Sequence, residues 1–223
     1  MVMREKILLS WSGGKDSSLA CYYIQEAGAY EIAALLTTIT EGYNRVSMHG
    51  VRRALVEQQA ESLGFPLREV YIPKDSSDEE YESRMRDALL GYQRDDINSA
   101  GFGDIFLEDV RKYREDRLAR IGMKAVFPLW KRDTKKLVRD FIDLGFEAIV
   151  TCVDSGVLDS CFAGKLINDD FISRLPSHVD PNGENGEFHS FVLDGPIFKR
   201  RVAVSIGEIV LRDSFYFCDL VPE

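Results

Sequence analysis

Two short stretches of this chain hold residues whose types and spacing could do chemistry. In the first, Ser12-Gly13-Gly14-Lys15-Asp16-Ser17-Ser18, two adjacent glycines and a lysine follow the apolar run Ile7 to Trp11. Glycine lets a backbone approach an oxyanion closely, and lysine brings a point charge to the same place. If the apolar run is a strand and Ser17 to Ile24 a helix capped by Asp16 or Ser17, several N–H groups at the junction lack partners and sit at the positive end of a helix dipole. That is an anion site. In the second stretch, Gly183-Glu184-Asn185-Gly186-Glu187-Phe188-His189-Ser190, two carboxylates and a histidine lie between glycines. Tight turns would let Glu184 and Glu187 converge on one ligand as a base, a metal ligand or an ammonium site. A plainer reading stands beside each: a strand–turn–helix corner for the first, and for the second a solvated turn before a strand, with His189 a structural residue.

The elements that must position these residues alternate. Strands are expected at Ile7–Trp11, Glu31–Ile39, Leu67–Ile72, Phe102–Phe106 (a short strand or the end of one) and Lys124–Trp130, with helices between them and a loop at Thr40–Ser47. Such alternation predicts a parallel sheet of right-handed crossovers, whose ligands bind beyond the carboxyl ends of the strands. Ser12 to Ser18, Thr37, Thr38, Gly103 and Asp104 would gather there. After Trp130 the pattern changes. A helix over Thr134–Leu144, a strand over Ala148–Val153 and helical pieces to Leu175 precede a polar loop, Pro176–Gly183. Strands follow over Phe188–Leu193, Lys199–Ile206 and Ile209–Leu220, with turns near Gly195 and Gly207. The fold class is α/β: a nucleotide-binding parallel-sheet lobe, residues 1–131, and a smaller C-terminal α+β lobe, residues 132–223, with the site between them.

Composition narrows the partners. The 223 residues carry a net charge of −9, which speaks against a nucleic-acid footprint. The basic runs at Arg111–Arg120 and Lys131–Lys136 are interleaved with acids and read as solvated helix faces. No apolar run reaches the length of a membrane span and no signal-peptide pattern opens the chain, so a cytoplasmic location is expected. The four cysteines, Cys21, Cys152, Cys161 and Cys218, are scattered and favour neither zinc nor disulfides.

The first stretch lacks the Gly-x-x-x-x-Gly-Lys-[Ser/Thr] spacing of a Walker A loop. It resembles instead the PP-loop of the ATP pyrophosphatases. With the Met48-His49-Gly50 stretch, Gly103-Asp104, Phe127-Pro128-Leu129-Trp130 and Gly183–Ser190 running into Val192-Leu193-Asp194-Gly195-Pro196, the chain resembles the diphthine–ammonia ligase family over nearly its whole length. The resemblance implies a Rossmann-like lobe of the adenine nucleotide alpha hydrolase type and ATP-dependent amidation. A carboxylate attacks the α-phosphate, pyrophosphate leaves, and ammonia displaces AMP from the acyl adenylate.

On that resemblance Lys15, Glu184 and Glu187 are the candidate catalytic residues. Ser12, Gly13, Gly14, Lys15, Asp16, Ser17, Ser18, Thr37, Thr38, Gly103 and Asp104 would bind ATP. Asn185, Glu187 and His189 would meet the substrate. Magnesium would bridge phosphate oxygens, with Asp16 and Asp104 as candidate ligands. Nitrogen would come as free ammonia or from a partner glutaminase, to a small-molecule or protein carboxylate, in a possible homodimer. Diphthine-acting members read Glu-Gly-Gly-Glu, an aromatic, then Glu-Thr; here Asn185 and His189-Ser190 depart from that pattern. The departure matches bacterial members, some thought to act in cobalamin salvage, so another small carboxylate stands beside diphthine. Sulfur transfer through Cys152 or Cys161, and a non-catalytic nucleotide sensor, are the other readings.

Overall fold

The computed structural model describes residues 4–47 and 50–223. Met48 and His49, part of one stretch that carries the family resemblance, lie outside the described residues.

Strand β1 (Glu5–Ser10) is the centre of the first sheet. Its residues Ile7, Leu8 and Leu9 have no exposed surface at all, because both faces of the sheet are covered. On one side β1 pairs in parallel with β2 (Tyr30–Thr40), which pairs beyond with β4 (Leu67–Ile72). On the other it pairs in parallel with β5 (Ser99–Gly101), which pairs with β6 (Lys124–Val126). A short antiparallel strand, β3 (Arg45–Val46), lies along the far end of β2. The parallel order is therefore β4-β2-β1-β5-β6, and the direction of winding reverses between β1 and β5. A crevice opens at that reversal, outside the carboxyl ends of the two strands.

The faces of this sheet are divided. Helices α1 (Lys15–Ala27) and α2 (Arg53–Leu63) pack on one face with Ile7 and Leu9. Helices α3 (Asp78–Gln93) and α4 (Glu108–Ala119) give Leu89 and Leu118 to a second cluster around Leu8 on the other face. Helix α5 (Thr134–Asp143) joins the first cluster through Leu137, Val138 and Phe141.

The second sheet is antiparallel in the order β8-β7-β10-β9, with β7 at Glu147–Asp154, β8 at Phe188–Asp194, β9 at Val204–Arg212 and β10 at Phe215–Pro222. Between β7 and β8 come a 3-10 turn (Ser160–Phe162), a short helix α6 (Asp169–Arg174) and an irregular stretch over residues 175–187. Phe191, Val192 and Val150 of this sheet belong to the same apolar cluster as α1 and α2. One continuous core thus ties the second sheet to one face of the first.

Five local expectations are corrected. Helix α1 begins at Lys15 with Gly14 in the N-cap position, so Asp16 and Ser17 lie inside the first turn. The strand expected at Phe102–Phe106 is Ser99–Gly101, whose small residues admit α1 so closely that a Cβ on Gly101 would stand 3.0 Å from Ile24. Residues 127–130 leave the sheet in a turn instead of extending β6. In the last hairpin, β9 runs straight through Gly207 and the chain reverses at Asp213 and Ser214, both left-handed at φ 46° and 71°. Two such residues match the twist of flanking strands, and without a glycine between them the turn has no loud signal. Lys199 and Arg200 form no strand; they bond to Ser62 at the end of α2.

Candidate active site

The loop from β1 into α1 stands at the crevice, and its conformation follows from its composition. Gly13 holds φ +80°, and a Cβ there would lie 2.7 Å from Gln59 Oε1 and 3.3 Å from the Phe191 ring. Its carbonyl accepts from Val192 N at 2.9 Å and from Gln59 Nε2 at 3.1 Å. Gln59 has no exposed surface and spends its whole amide here: it also accepts from Trp11 Nε1 (3.0 Å) and donates to the Val192 carbonyl (2.6 Å). The Ser190 hydroxyl accepts from Lys15 N at 3.2 Å. The loop is therefore pinned from β8 and α2 on one side. On the other, Gly103 approaches so closely that a Cβ would meet the Asp16 carbonyl carbon at 2.8 Å.

What is left over points outward. The N–H groups of Asp16 and Ser17, in the first turn of α1, have no hydrogen-bond partner among the described residues. Beside them Lys15, 3% exposed, lies with Nζ 2.9 Å from Asp16 Oδ2 and 5.4 Å from the Phe188 ring centre. Ser12 Oγ accepts from Gly14 N at 3.3 Å, and Ser17 Oγ donates to the Gly14 carbonyl at 2.9 Å. This is a preformed anion cradle with a lysine at its rim.

The cleft in front of the cradle has a volume of about 670 Å³. Ser12, Gly14, Lys15, Asp16 and Ser17 form one wall; Gly103 and Asp104 a second; Glu184, Asn185, His189 and Ser190 the third. An adjoining hollow of about 170 Å³ shares Ser10, Ser12, Phe102 and Arg114 with it and is lined by Thr37, Thr38, Tyr81 and Met85. Thr37 is 2% exposed and its buried hydroxyl oxygen has no partner among the described residues. Gly13 and Ser18 do not line either space. Ser18 is wholly buried, and Gly13 shapes the loop from behind.

The two carboxylates of the second stretch have separated. Glu184 Oε1 accepts from Ile105 N (3.1 Å) and Phe106 N (3.4 Å), so the carboxylate bridges the loop after β5 and faces the cleft. Burial, then the charge of Asp16, pushes its pKa up to about 7. Glu187 is 5% exposed and does not line the cleft. Its oxygens accept from Asp180 N (3.0 Å), Asn185 N (2.9 Å) and Asn185 Nδ2 (2.9 Å). Burial alone would raise its pKa, but these hydrogen bonds, the Asn185 side chain foremost, hold it below the usual carboxylate range. Glu187, expected among the catalytic and substrate-binding residues, thus lies outside the cleft, with its carboxylate accepting hydrogen bonds inside its own loop.

His189 lines the cleft, and burial followed by the Lys15 charge lowers its pKa to about 4, so the ring is neutral at pH 7. Asp104 is held by Arg114 Nε at 2.6 Å, and Asp16 by Lys15 and by Asn182 Nδ2 at 2.8 Å. Both candidate magnesium ligands already carry a cation, and no cluster of three or more His, Cys, Asp or Glu suited to a metal occurs among the described residues.

Three residues of this site escape a sequence reading. Asn182 looks like the first half of an Asn-Gly turn. Gln59 sits in the apolar phase of α2 with Leu55, Val56 and Leu63, and a buried amide in such a stripe is the one signal that could have revealed it. Arg114 reads as one more charge on a solvated helix.

Comparison with known proteins gives the family. Residues 3–125 match the diphthamide synthase N-terminal domain, and residues 133–221 match the diphthamide synthase C-terminal domain. The chain belongs to the diphthamide synthase family. It is 27% identical to the diphthine–ammonia ligase of Schizosaccharomyces pombe over 96% of this chain, but spans only 38% of that protein. The Homo sapiens diphthine–ammonia ligase is 25% identical over 92% of this chain and 85% of its own length. The Danio rerio protein of the same name is 26% identical over 92% and 89%. A solved U34-tRNA thiolase from Methanococcus maripaludis aligns over 64% of this chain and 58% of its own, at 13% identity and a TM-score of 0.40. No helix among the described residues is long and apolar enough to cross a membrane.

Proposed function

We propose that this member of the diphthamide synthase family is an ATP-dependent amide-forming ligase that splits ATP to AMP and pyrophosphate. One observation carries the reading: a pinned anion cradle with the buried Lys15 faces, across a single cleft, a carboxylate poised near neutrality. The Asp16 and Ser17 N–H groups and Lys15 take the charge that develops on the departing pyrophosphate, preorganised so that nothing must move as it forms. The hollow beside Thr37 and Thr38 receives the nucleoside. The substrate carboxylate attacks the α-phosphate, and ammonia then displaces AMP from the acyl carbon. Glu184, ionised above pH 7, accepts the proton that nitrogen loses.

Asn185 and His189, exposed to the cleft where the family pattern varies, distinguish one carboxylate from another. That carboxylate is diphthine or another small acid, with nitrogen from free ammonia or a glutaminase. Among the described residues no cluster of side chains would hold magnesium alone, so the ion would enter with the nucleotide and supply charge neutralisation there. Sulfur transfer is less well served. Cys152 is 2% exposed with its thiol pushed up by burial to about 12, and neither Cys152 nor Cys161 lines the cleft.

Phosphorus NMR of the protein with ATP, ammonia and a panel of carboxylates tests the reading. AMP with pyrophosphate is expected. ADP with phosphate would overturn it, and tight ATP binding with no cleavage for any substrate would favour a sensor.

A further inference from the structure

The strand β9 ends the second sheet, and no other element pairs with its outer edge among the described residues. Its residues do not look like those of an edge left to solvent. Ile206, Ile209 and Leu211 are 55%, 44% and 57% exposed, and Leu166 beside them is 45% exposed. Strict alternation would place Ile206 and Ile209 on opposite faces. A bulge prevents this: Ile209 pairs with Cys218 but Ile206 with Leu220, leaving Gly207 and Glu208 opposite the single residue Asp219. The extra residue brings Ile206, Ile209 and Leu211 onto one face. On the opposite face stand Glu208, Val210 and Arg212. Glu208 and Arg212 are exposed, and neither has an ion-pair partner among the described residues.

These five residues, Glu208 to Arg212, complement themselves. If a second copy of β9 lies antiparallel to the first about a two-fold axis at Val210, each Ile209 stands opposite the partner's Leu211 and each Glu208 opposite the partner's Arg212. Shifting the axis by one residue either way loses both ion pairs. The bulge, whose second residue is Glu208, and the Asp213-Ser214 turn bound this segment. Natural edges that stay unpaired are protected by charged side chains, lysine above all, by proline or by bulges, and an exposed apolar edge is a template for a second chain. Residues 208–212 carry neither lysine nor proline, and their two charges are opposite in sign.

We propose that β9 is a dimer interface, occupied by β9 of a second copy of this chain in the register centred on Val210, so that the two four-stranded sheets become one of eight strands. The contact is isologous, with every interaction made twice. It is independent of the catalytic reading.

Sedimentation equilibrium of the full chain, alone and as variants, tests it. The parent chain is expected to be dimeric at micromolar concentration. Glu208→Arg and Arg212→Glu each turn two attractive cross-strand pairs into two repulsive ones and should weaken the dimer by about tenfold or more. The double swap, Glu208→Arg with Arg212→Glu, should restore it. Thermal melts by circular dichroism check that each variant folds, as expected for exposed side chains. A monomeric parent overturns the proposal, as does a dimer indifferent to both single reversals, which would mean another surface pairs. A double swap no better than its parts overturns the register and with it the proposal.

Discussion

The phosphate loop and the acidic loop face each other across one cleft, yet they are built in opposite ways. In the first loop the backbone N–H groups are what face the cleft and the side chains support them. Gly13 turns, Ser12 and Ser190 occupy the N–H groups of Gly14 and Lys15, and what remains free is the start of α1. In the acidic loop the backbone does the supporting and a side chain is what reaches the cleft. N–H groups of residues 180 and 185 hold Glu187, and Glu184 is left to face the cleft. Two glutamates three residues apart thus hold opposite states: Glu187 pulled down by hydrogen bonds, Glu184 pushed up to about 7 by burial and a neighbouring charge. The lesson is that a carboxylate's state follows from its burial, its charged neighbours and its hydrogen-bond donors together, and sequence spacing gives none of these.

The comparison can be broken most forcefully at Lys15. Lys15→Ala should lower AMP formation by about 10²–10³-fold, the scale of losing one preorganised charge-stabilising donor, with an unchanged melting curve. A folded Lys15→Ala protein that cleaves ATP as the parent does would show that the cradle is only a corner of the fold. Next is Glu184→Gln, expected to keep ATP affinity in calorimetry and to lose about 10²-fold in amide formation. The parent's rate, at constant free ammonia, should climb as pH rises through about 7, because only ionised Glu184 accepts a proton. The variant should lose that limb. If the limb persists in Glu184→Gln, another group is the base.

Glu187→Gln sharpens the contrast from the other side. Its new NH2 group would face donors where a carboxylate faced them, leaving buried groups unpaired at a cost of about 1–3 kcal/mol. Denaturant melts should show that loss, while the folded fraction turns over within a few-fold of the parent. A hundredfold loss of turnover at full stability would return Glu187 to the reacting centre. The smallest expected effect is none at all. With its pKa lowered to about 4, His189 is neutral above pH 5, so its ring proton resonances should not move between pH 5 and pH 8. A titration in that window would mean water reaches the ring and that Lys15 lies farther away.

Much of the fold was legible because its signals are local. The apolar run Ile7–Leu9, buried on both faces, and the regular alternation of helices and strands gave a parallel sheet without any knowledge of contacts. Where the reading slipped, a distant partner had overruled a local cue. Gly207 looked like a turn but lies within β9, since a bulge opposite Asp219 absorbs it; Asp213-Ser214 turned the chain without glycine. Ser99–Gly101 was too small and short to read as a strand, and became one because α1 needed a close approach.

By itself the sequence determined the phosphate loop, because an anion cradle is made by glycines, a lysine and a helix start that are contiguous in the chain. It also determined that Glu184 and Glu187 share one tight loop. Only the tertiary structure decided which of them faces the cleft. Ile105, Phe106 and Asp16 reach Glu184 from across the cleft, 78–168 residues away in the chain, whereas Glu187 is claimed by its own loop. Likewise no local pattern could announce that Gln59, Asn182 and Ser190 would come from three separate elements to hold seven residues of loop. Burial and hydrogen bonding are properties of surroundings, and those surroundings exist only once the two sheets have closed on their common core.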